Sequence, residues 1–250
     1  MTFTIMAHDP DADQVGIGIA TASLAVGGLC LFTTLAGDIV TSQAFARPEL
    51  GLLVARHLSE ELDMGALEAA LTEADPHIGH RQIGIIHRDG SLHAFSGPNC
   101  RPWSGHHLAE GHLVMGNFLA GEHILDAMAE AFRMSDGEPL AERLLQALEA
   151  GRDAGGQADG EGRRYTERSA ALKVIGAGQI AGIADPAVAP IDLRVDMHER
   201  TVDEMRRLYQ TLRLLPDYNA LRSSQPEDTP ALADWEAEHY SGDALPNPLV

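Results

Sequence analysis

Lysine is almost missing from this chain. Among 250 residues only Lys173 carries an ammonium side chain, so nearly all the positive charge is arginine. Lys and Arg together number 18 against 37 Asp and Glu, a formal net charge of −19. Phosphate backbones need a basic face, which makes nucleic acid a poor partner. The two cysteines, Cys30 and Cys100, give neither a disulfide framework nor a zinc-type CxxC pair. No apolar run approaches the ~18–20 residues of a membrane span. The first residues lack the basic start and apolar core of a secretory signal, so a cytoplasmic protein with no membrane contact is expected. Gly16-Ile17-Gly18 lacks the third glycine of a dinucleotide fingerprint, since position 21 is Thr21, and no cofactor is expected. His80, His106, His107 and His112 do not follow HExxH spacing, so no metal is expected either; a metal-assisted hydrolase using His106 and His112 is the weaker alternative.

What is present is ordinary globular composition, 44% hydrophobic and 22% charged. Met1 to Ala7 alternates apolar and small polar residues, the period-two pattern of a strand with one buried face. Further strands are predicted over Val15–Ser23, Leu29–Leu35, Ile39–Phe45, Arg81–His87, Ser91–Ser96, His112–Met115, Ser169–Ile175 and Ile191–Val195. Helices are predicted over Arg47–Leu62, Met64–Ala74 capped by Asp63, Glu122–Met134, Pro139–Ala150 ending at Gly151, and Thr201–Leu214 with a Thr201/Glu204 capping box. Gly151 to Arg168 reads as loop. Helices arrive in pairs and hairpins dominate, which argues against a doubly wound parallel sheet. The expectation is an α+β fold: two mainly antiparallel sheets face to face between helix pairs, a four-layer αββα sandwich. It should occupy residues 1–214. Residues 215–250 form an acidic, Pro-containing extension, expected to be extended and either disordered or laid across a neighbouring subunit of a homo-oligomer with Trp235 and Tyr240 as anchors.

Thr2 follows the initiator methionine and is small enough for Met1 to be removed. That leaves a hydroxyl and a free amine on one residue, and an N-terminal threonine can attack through its hydroxyl with its own amine as base. An α-amino group titrates at roughly 7.7–8.0, so part of it is neutral near pH 7. Asn117, at a strand end beside Gly116, is the candidate donor to an oxyanion. Thr21 and Ser23 lie on the strand paired with the first, close to Thr2. Gln43 either binds substrate or bridges the sheets. Arg81, or Arg47, could clamp a substrate carboxylate; the rival for Arg81 is a structural pair with Asp75. Asp192, Arg194 and Asp196 alternate along one strand and suggest an ion-pair network. Cys100 and His106 are an alternative nucleophile and base.

Several stretches resemble the landmarks of the DUF1028 family: Met1-Thr2-Phe3-Thr4-Ile5 with Asp9-Pro10, Ser42-Gln43-Ala44-Phe45, Arg81-Gln82-Ile83-Gly84, Cys100-Arg101-Pro102-Trp103-Ser104-Gly105-His106, Gly116-Asn117, and Asp192-Leu193-Arg194-Val195-Asp196. The likeness spans roughly Met1 to Leu214. It implies an Ntn-hydrolase-like fold, in which the first residue of the mature chain is the nucleophile that attacks an amide; here that residue is Thr2. Proteasome-type members carry a lysine near the nucleophile, and this chain has none before Lys173, so the Thr2 amine must act alone or through water. Taken with the residues above, the expected function is hydrolysis of the C–N bond of a small, carboxylate-bearing amide, with Thr2 and Asn117 catalytic and Arg81, Gln43, Arg47, Thr21 and Ser23 binding substrate. The alternative is a catalytically inactive protein of the same fold that binds a small molecule or serves as an assembly subunit.

Overall fold

The computed structural model describes residues 1–59, 64–176, 191–213 and 215–239. Its centre is β1 (Thr2–Asp9), whose first six residues are all buried. Alternation sends Phe3, Ile5 and Ala7 to one side and Thr2, Thr4 and Met6 to the other. Asp9 turns the chain, its Oδ1 accepting the N–H groups of Asp11 and Ala12 at 3.1 Å. β2 (Gln14–Thr21) then returns antiparallel. The elements that follow are α1 (Val26–Leu29), β3 (Leu31–Thr33), β4 (Ile39–Ala44), α2 (Pro48–Ser59), α3 (Met64–Ala74), β5 (Arg81–Ile86), β6 (Leu92–Ser96), β7 (Ser104–Ala109) and β8 (His112–Asn117). Next come α4 (His123–Met134), α5 (Leu140–Asp153), β9 (Gln157–Ala158), β10 (Arg164–Tyr165), β11 (Ser169–Gly176), β12 (Ile191–Val195), α6 (Thr201–Leu212), α7 (Pro216–Ser224) and α8 (Leu232–His239).

The fold is mixed α+β with antiparallel sheets. One sheet has the order β12-β11-β2-β1-β8-β7, a second β3-β4-β5-β6, and β9 pairs with β10 in a short ribbon. Phe3, Ile5 and Ala7 pack with Met128 and Phe132 of α4, Leu144 and Leu148 of α5, and Met205 and Tyr209 of α6. On its other side the larger sheet presents Met6, Val15, Ile17, Leu113 and Met115, which meet Ile39 and Ile86 of the smaller sheet. Val40, Ile83 and Ile85 of the smaller sheet pack with Leu50 and Val54 of α2 and Leu67 and Leu71 of α3. Among the described residues no helix is long and apolar enough to cross a membrane.

Several predicted boundaries are corrected. The strand over 29–35 is instead α1 followed by the three-residue β3, because Ala25 turns left-handed at φ 55° and starts a helical turn. β2 ends at Thr21, so Ser23 lies beyond the strand. Gly151 does not end α5, which runs on to Asp153. A Cβ on Gly151 would stand 2.9 Å from Met128 Cγ and 3.3 Å from Phe3, so close packing and not a cap calls for glycine there. The segment 151–168 holds β9 and β10. Thr201 is the first residue of α6 and makes no cap; its Oγ1 donates to Glu167 O at 2.9 Å and His198 O at 2.8 Å. Among the described residues after 214 are the helices α7 and α8, with Trp235 stacked on His239 at 3.7 Å and tilted against Tyr218 at 5.6 Å. Asp192 pairs across strands with Lys173 at 2.9 Å, while Arg194 lies against Gly27 and the Asp196 carbonyl accepts the Ala25 N–H, so the three do not form a network with one another. Leu62, Asp63, Leu214 and Tyr240 lie outside the described residues.

Candidate functional site

The register of β1 sets Thr2 opposite both Thr21 of β2 and Asn117 of β8. All three side chains are buried. Thr2 Oγ1 lies 3.2 Å from Thr21 Oγ1, and Thr21 Oγ1 donates a short hydrogen bond to the Met1 carbonyl. The Met1 amine donates to Asn117 Oδ1 at 2.6 Å. Asn117 Nδ2 donates onward to Gln82 Oε1 at 2.9 Å, and Gln43 Nε2 donates to the same oxygen at 3.1 Å. Gln82 Nε2 donates to Gly116 O at 2.7 Å and lies within reach of Ser96 Oγ at 2.9 Å and Gly105 O at 3.2 Å. Thr4 Oγ1 donates to Gln43 Oε1 at 2.7 Å. Thr2, Thr4 and Asn117 come from the larger sheet and Gln43 and Gln82 from the smaller, so this chain of buried amides and hydroxyls ties the two sheets together. Buried polar groups are tolerated when each finds a partner, and here they do.

Burial acts on the charges around Met1. It pushes the Met1 amine down to about 6, with the Arg101 guanidinium adding to the fall against the opposing effect of Cys30. Burial pushes the Cys30 thiol up to about 11 and raises Cys100 as well, so neither is a ready thiolate. Arg101 is held between two rings, 5.2 Å from the Phe45 centroid and 5.7 Å from that of Phe118. Those rings stand where the backbone is left-handed at ordinary residues: Ala44 has φ 76° and Phe118 φ 59°. Such conformations cost roughly 1–2 kcal/mol each and tend to gather where geometry is functional.

A cavity of about 370 Å³ opens beside Met1, lined by Met1, Ala22, Arg164, Tyr165, Thr166 and Arg168. Arg81 and Arg47 line no part of it. Arg81 Nε binds Asp75 at 2.9 Å, and Arg47 stands 3.4 Å from the same carboxylate while donating to Ala74 O at 3.1 Å. Gln43 is fully buried and bridges the sheets. Ser23 is exposed, its carbonyl accepting from Ser169 Oγ at 2.8 Å and its N–H donating to Thr21 Oγ1 at 3.3 Å. Cys100 Sγ donates to Arg81 O, and His106 Nδ1 lies 2.9 Å from Ser96 Oγ, so this thiol and this imidazole do not meet. His106 and His112 sit three register positions apart on β7 and β8 and are not brought together. Among the described residues no three His, Cys, Asp or Glu side chains gather to hold a metal. Arg101, Arg164 and Arg168 were not foreseen; the signal for the last two was the alternation Arg164, Thr166, Arg168 in a stretch read as loop.

The family described as "Family of unknown function (DUF1028)" matches residues 2–205. The chain belongs to the DUF1028 family. The crystal structure of protein SPO2555 from Silicibacter pomeroyi, itself described by the DUF1028 family, superposes with a TM-score of 0.70 at 28% sequence identity, over 94% of this chain and 92% of that one. Comparison with curated proteins gives no match. In this DUF1028 chain every residue of the amide network and of the cavity apart from Met1 lies inside the matched span.

Proposed function

We propose that this DUF1028 protein has the four-layer αββα architecture of the Ntn hydrolases and hydrolyses the C–N bond of a small amide, with Thr2 as nucleophile once Met1 is removed. One observation carries the reading: Met1 lines the cavity, its carbonyl receives the Thr21 hydroxyl and its amine is held by Asn117 Oδ1. Removing Met1 makes the nitrogen of Thr2 a primary amine beside its own hydroxyl and releases Thr21 Oγ1. Thr2 Oγ then attacks the substrate carbonyl while the amine takes its proton. The proton passes to the leaving nitrogen as the C–N bond breaks, and water cleaves the resulting ester. Asn117 Nδ2 is already bound to Gln82, so Asn117 is poorly placed as an oxyanion donor; its Oδ1, freed when Met1 leaves, is an acceptor on the register partner of Thr2 for the new amine. Thr21 Oγ1, which now donates to a carbonyl oxygen, is the better candidate for that donor. The test is intact mass of protein made in its native host, with turnover of an amide panel by wild type, Thr2→Ser and Thr2→Ala. Loss of about 10³-fold or more in Thr2→Ala is expected; equal turnover overturns the proposal.

A second reading is favoured by the hydrogen bonds that Met1 itself completes. In it the protein keeps Met1, has no catalysis, and holds a small molecule or serves as an assembly subunit. It requires methionine at the terminus of the native protein and ligand binding without turnover.

A further inference from the structure

The cavity beside Met1 carries positive charge that no carboxylate among the described residues pairs with. Along the extended segment 163–168, side chains alternate between two sides. Arg163 and Tyr165 turn to Asp159, Arg163 Nε at 2.7 Å and Tyr165 Oη at 3.1 Å. Glu167 is buried and does not line the cavity, its Oε1 accepting Gln157 Nε2 at 3.2 Å. That leaves Arg164, Thr166 and Arg168 facing the cavity, with Tyr165 as a side wall. The segment is fixed at its end, where Arg168 N–H donates to Thr21 O at 2.7 Å and Arg168 O accepts His198 N–H at 3.0 Å. Among the described residues neither Arg164 nor Arg168 has a carboxylate within ion-pair distance, whereas neighbouring Arg163 has both Asp159 and Glu161. Other exposed arginines among the described residues, Arg194, Arg213 and Arg222 among them, also stand without an ion pair; Arg164 and Arg168 are distinguished by lining one cavity together.

We propose that Arg164 and Arg168 form the receptor for an anionic group, a carboxylate or a phosphate, on the small molecule this cavity takes. The assignment rests on reading the cavity as the substrate site. Guanidinium is the fitting group, since its fork of N–H donors matches two oxygens of one anion. The Thr166 hydroxyl between them adds a neutral donor on the same face. A volume of about 370 Å³ suits a ligand of metabolite size.

The test is calorimetric titration of the full chain at low salt with malonate and, separately, with inorganic phosphate, using Thr2→Ala alongside wild type so that turnover plays no part. Either probe binding names the anion, and the tighter one names its source. Arg164→Gln and Arg168→Gln are each expected to weaken binding about tenfold, and the double variant about a hundredfold. Arg164→Lys and Arg168→Lys should lose only a few-fold, because charge is kept and the fork is lost. Arg222→Gln, on α7 and distant in sequence from the cavity, should bind as wild type does. Unchanged thermal melting shows that the variants fold. The proposal is overturned if neither probe binds wild type below about 10 mM, or if the double variant binds both as well as wild type. Anion binding without Thr2-dependent turnover removes the amidase reading and leaves this one. Thr2-dependent turnover without anion binding does the reverse.

Discussion

Arg81 Nε donates to Asp75 Oδ2 at 2.9 Å, and Arg47 stands 3.4 Å from the other oxygen of the same carboxylate. The Asp75 side chain is only 1% exposed. The pair fastens the turn after α3 to the start of β5, and so sets the edge from which Gln82 reaches Asn117 and the Gly116 carbonyl. It also explains why neither arginine faces the cavity.

Removing the charge of Asp75 should therefore be costly. Asp75→Asn leaves Arg81, itself largely buried, without its counter-ion, and a loss of about 2–4 kcal/mol is expected in urea unfolding. The pH dependence has a definite sign. Burial alone would raise the Asp75 carboxyl, but the Arg81 hydrogen bond, the His77 N–H and the charges of Arg81 and Arg47 hold it below the usual carboxylate value. A depressed carboxyl contributes in full above its unfolded pKa of roughly 3.9 and loses that contribution as pH falls through the folded value. Wild type should lose midpoint more steeply below pH 4 than Asp75→Asn does.

Gln82 is the junction of the buried amide network, so its replacement should cost more than that of any peripheral member. Gln82→Met removes the acceptor of both Asn117 Nδ2 and Gln43 Nε2 and strands the Gly116 carbonyl. Unsatisfied buried groups cost about 1–3 kcal/mol each, and a total near 3–5 kcal/mol is expected. Thr4→Val removes one donor to Gln43 and should cost about 1 kcal/mol. Equal losses in the two variants, read from equilibrium urea melts, would show that the network is not organised around Gln82.

The amine of Met1 makes a separate prediction for protein that retains it. Its pKa falls from 8.0 in the unfolded chain to about 6 in the folded one. Between those values the unfolded chain binds more protons, so stability rises with pH from 6 to 8 and is flat above. Partial exposure limits the gain to about 1–2 kcal/mol. Chemically N-acetylated protein should lack this rise in thermal melts across pH 5.5–8.5. The same slope in both forms would assign it to another group.

How much was legible in the sequence follows from which physical signal each element carried. Alternation in Thr2–Ala7 marked the central strand, and the apolar spacing of α4 and α5 marked helices. The short α1 carried no such signal: Val26-Gly27-Gly28-Leu29 is a poor helix sequence, begun by the left-handed turn at Ala25. β7 was hidden because His106 and His107 look alike in polarity while the strand turns them to opposite faces, one to Ser96 and one to Glu122. The Arg81–Asp75 pair was legible only as the rival to a substrate clamp, and the structure favours that rival. The cavity was not, because it joins Met1 to residues more than 160 positions away, and no local pattern reports that closure.

A main-chain carbonyl has no proton to give. Gly116 O can only receive one from Gln82, which prevents the Gln82 side-chain amide from being turned over. Its oxygen must then face Asn117, whose NH₂ is drawn inward and whose own oxygen is left looking at the head of the chain. Polarity is thus relayed through two side chains from a single backbone atom. The nitrogen at the terminus meets a lone pair and must offer Asn117 a hydrogen. Once deprotonated, it keeps its own electron pair aimed elsewhere, free for a proton arriving from another direction.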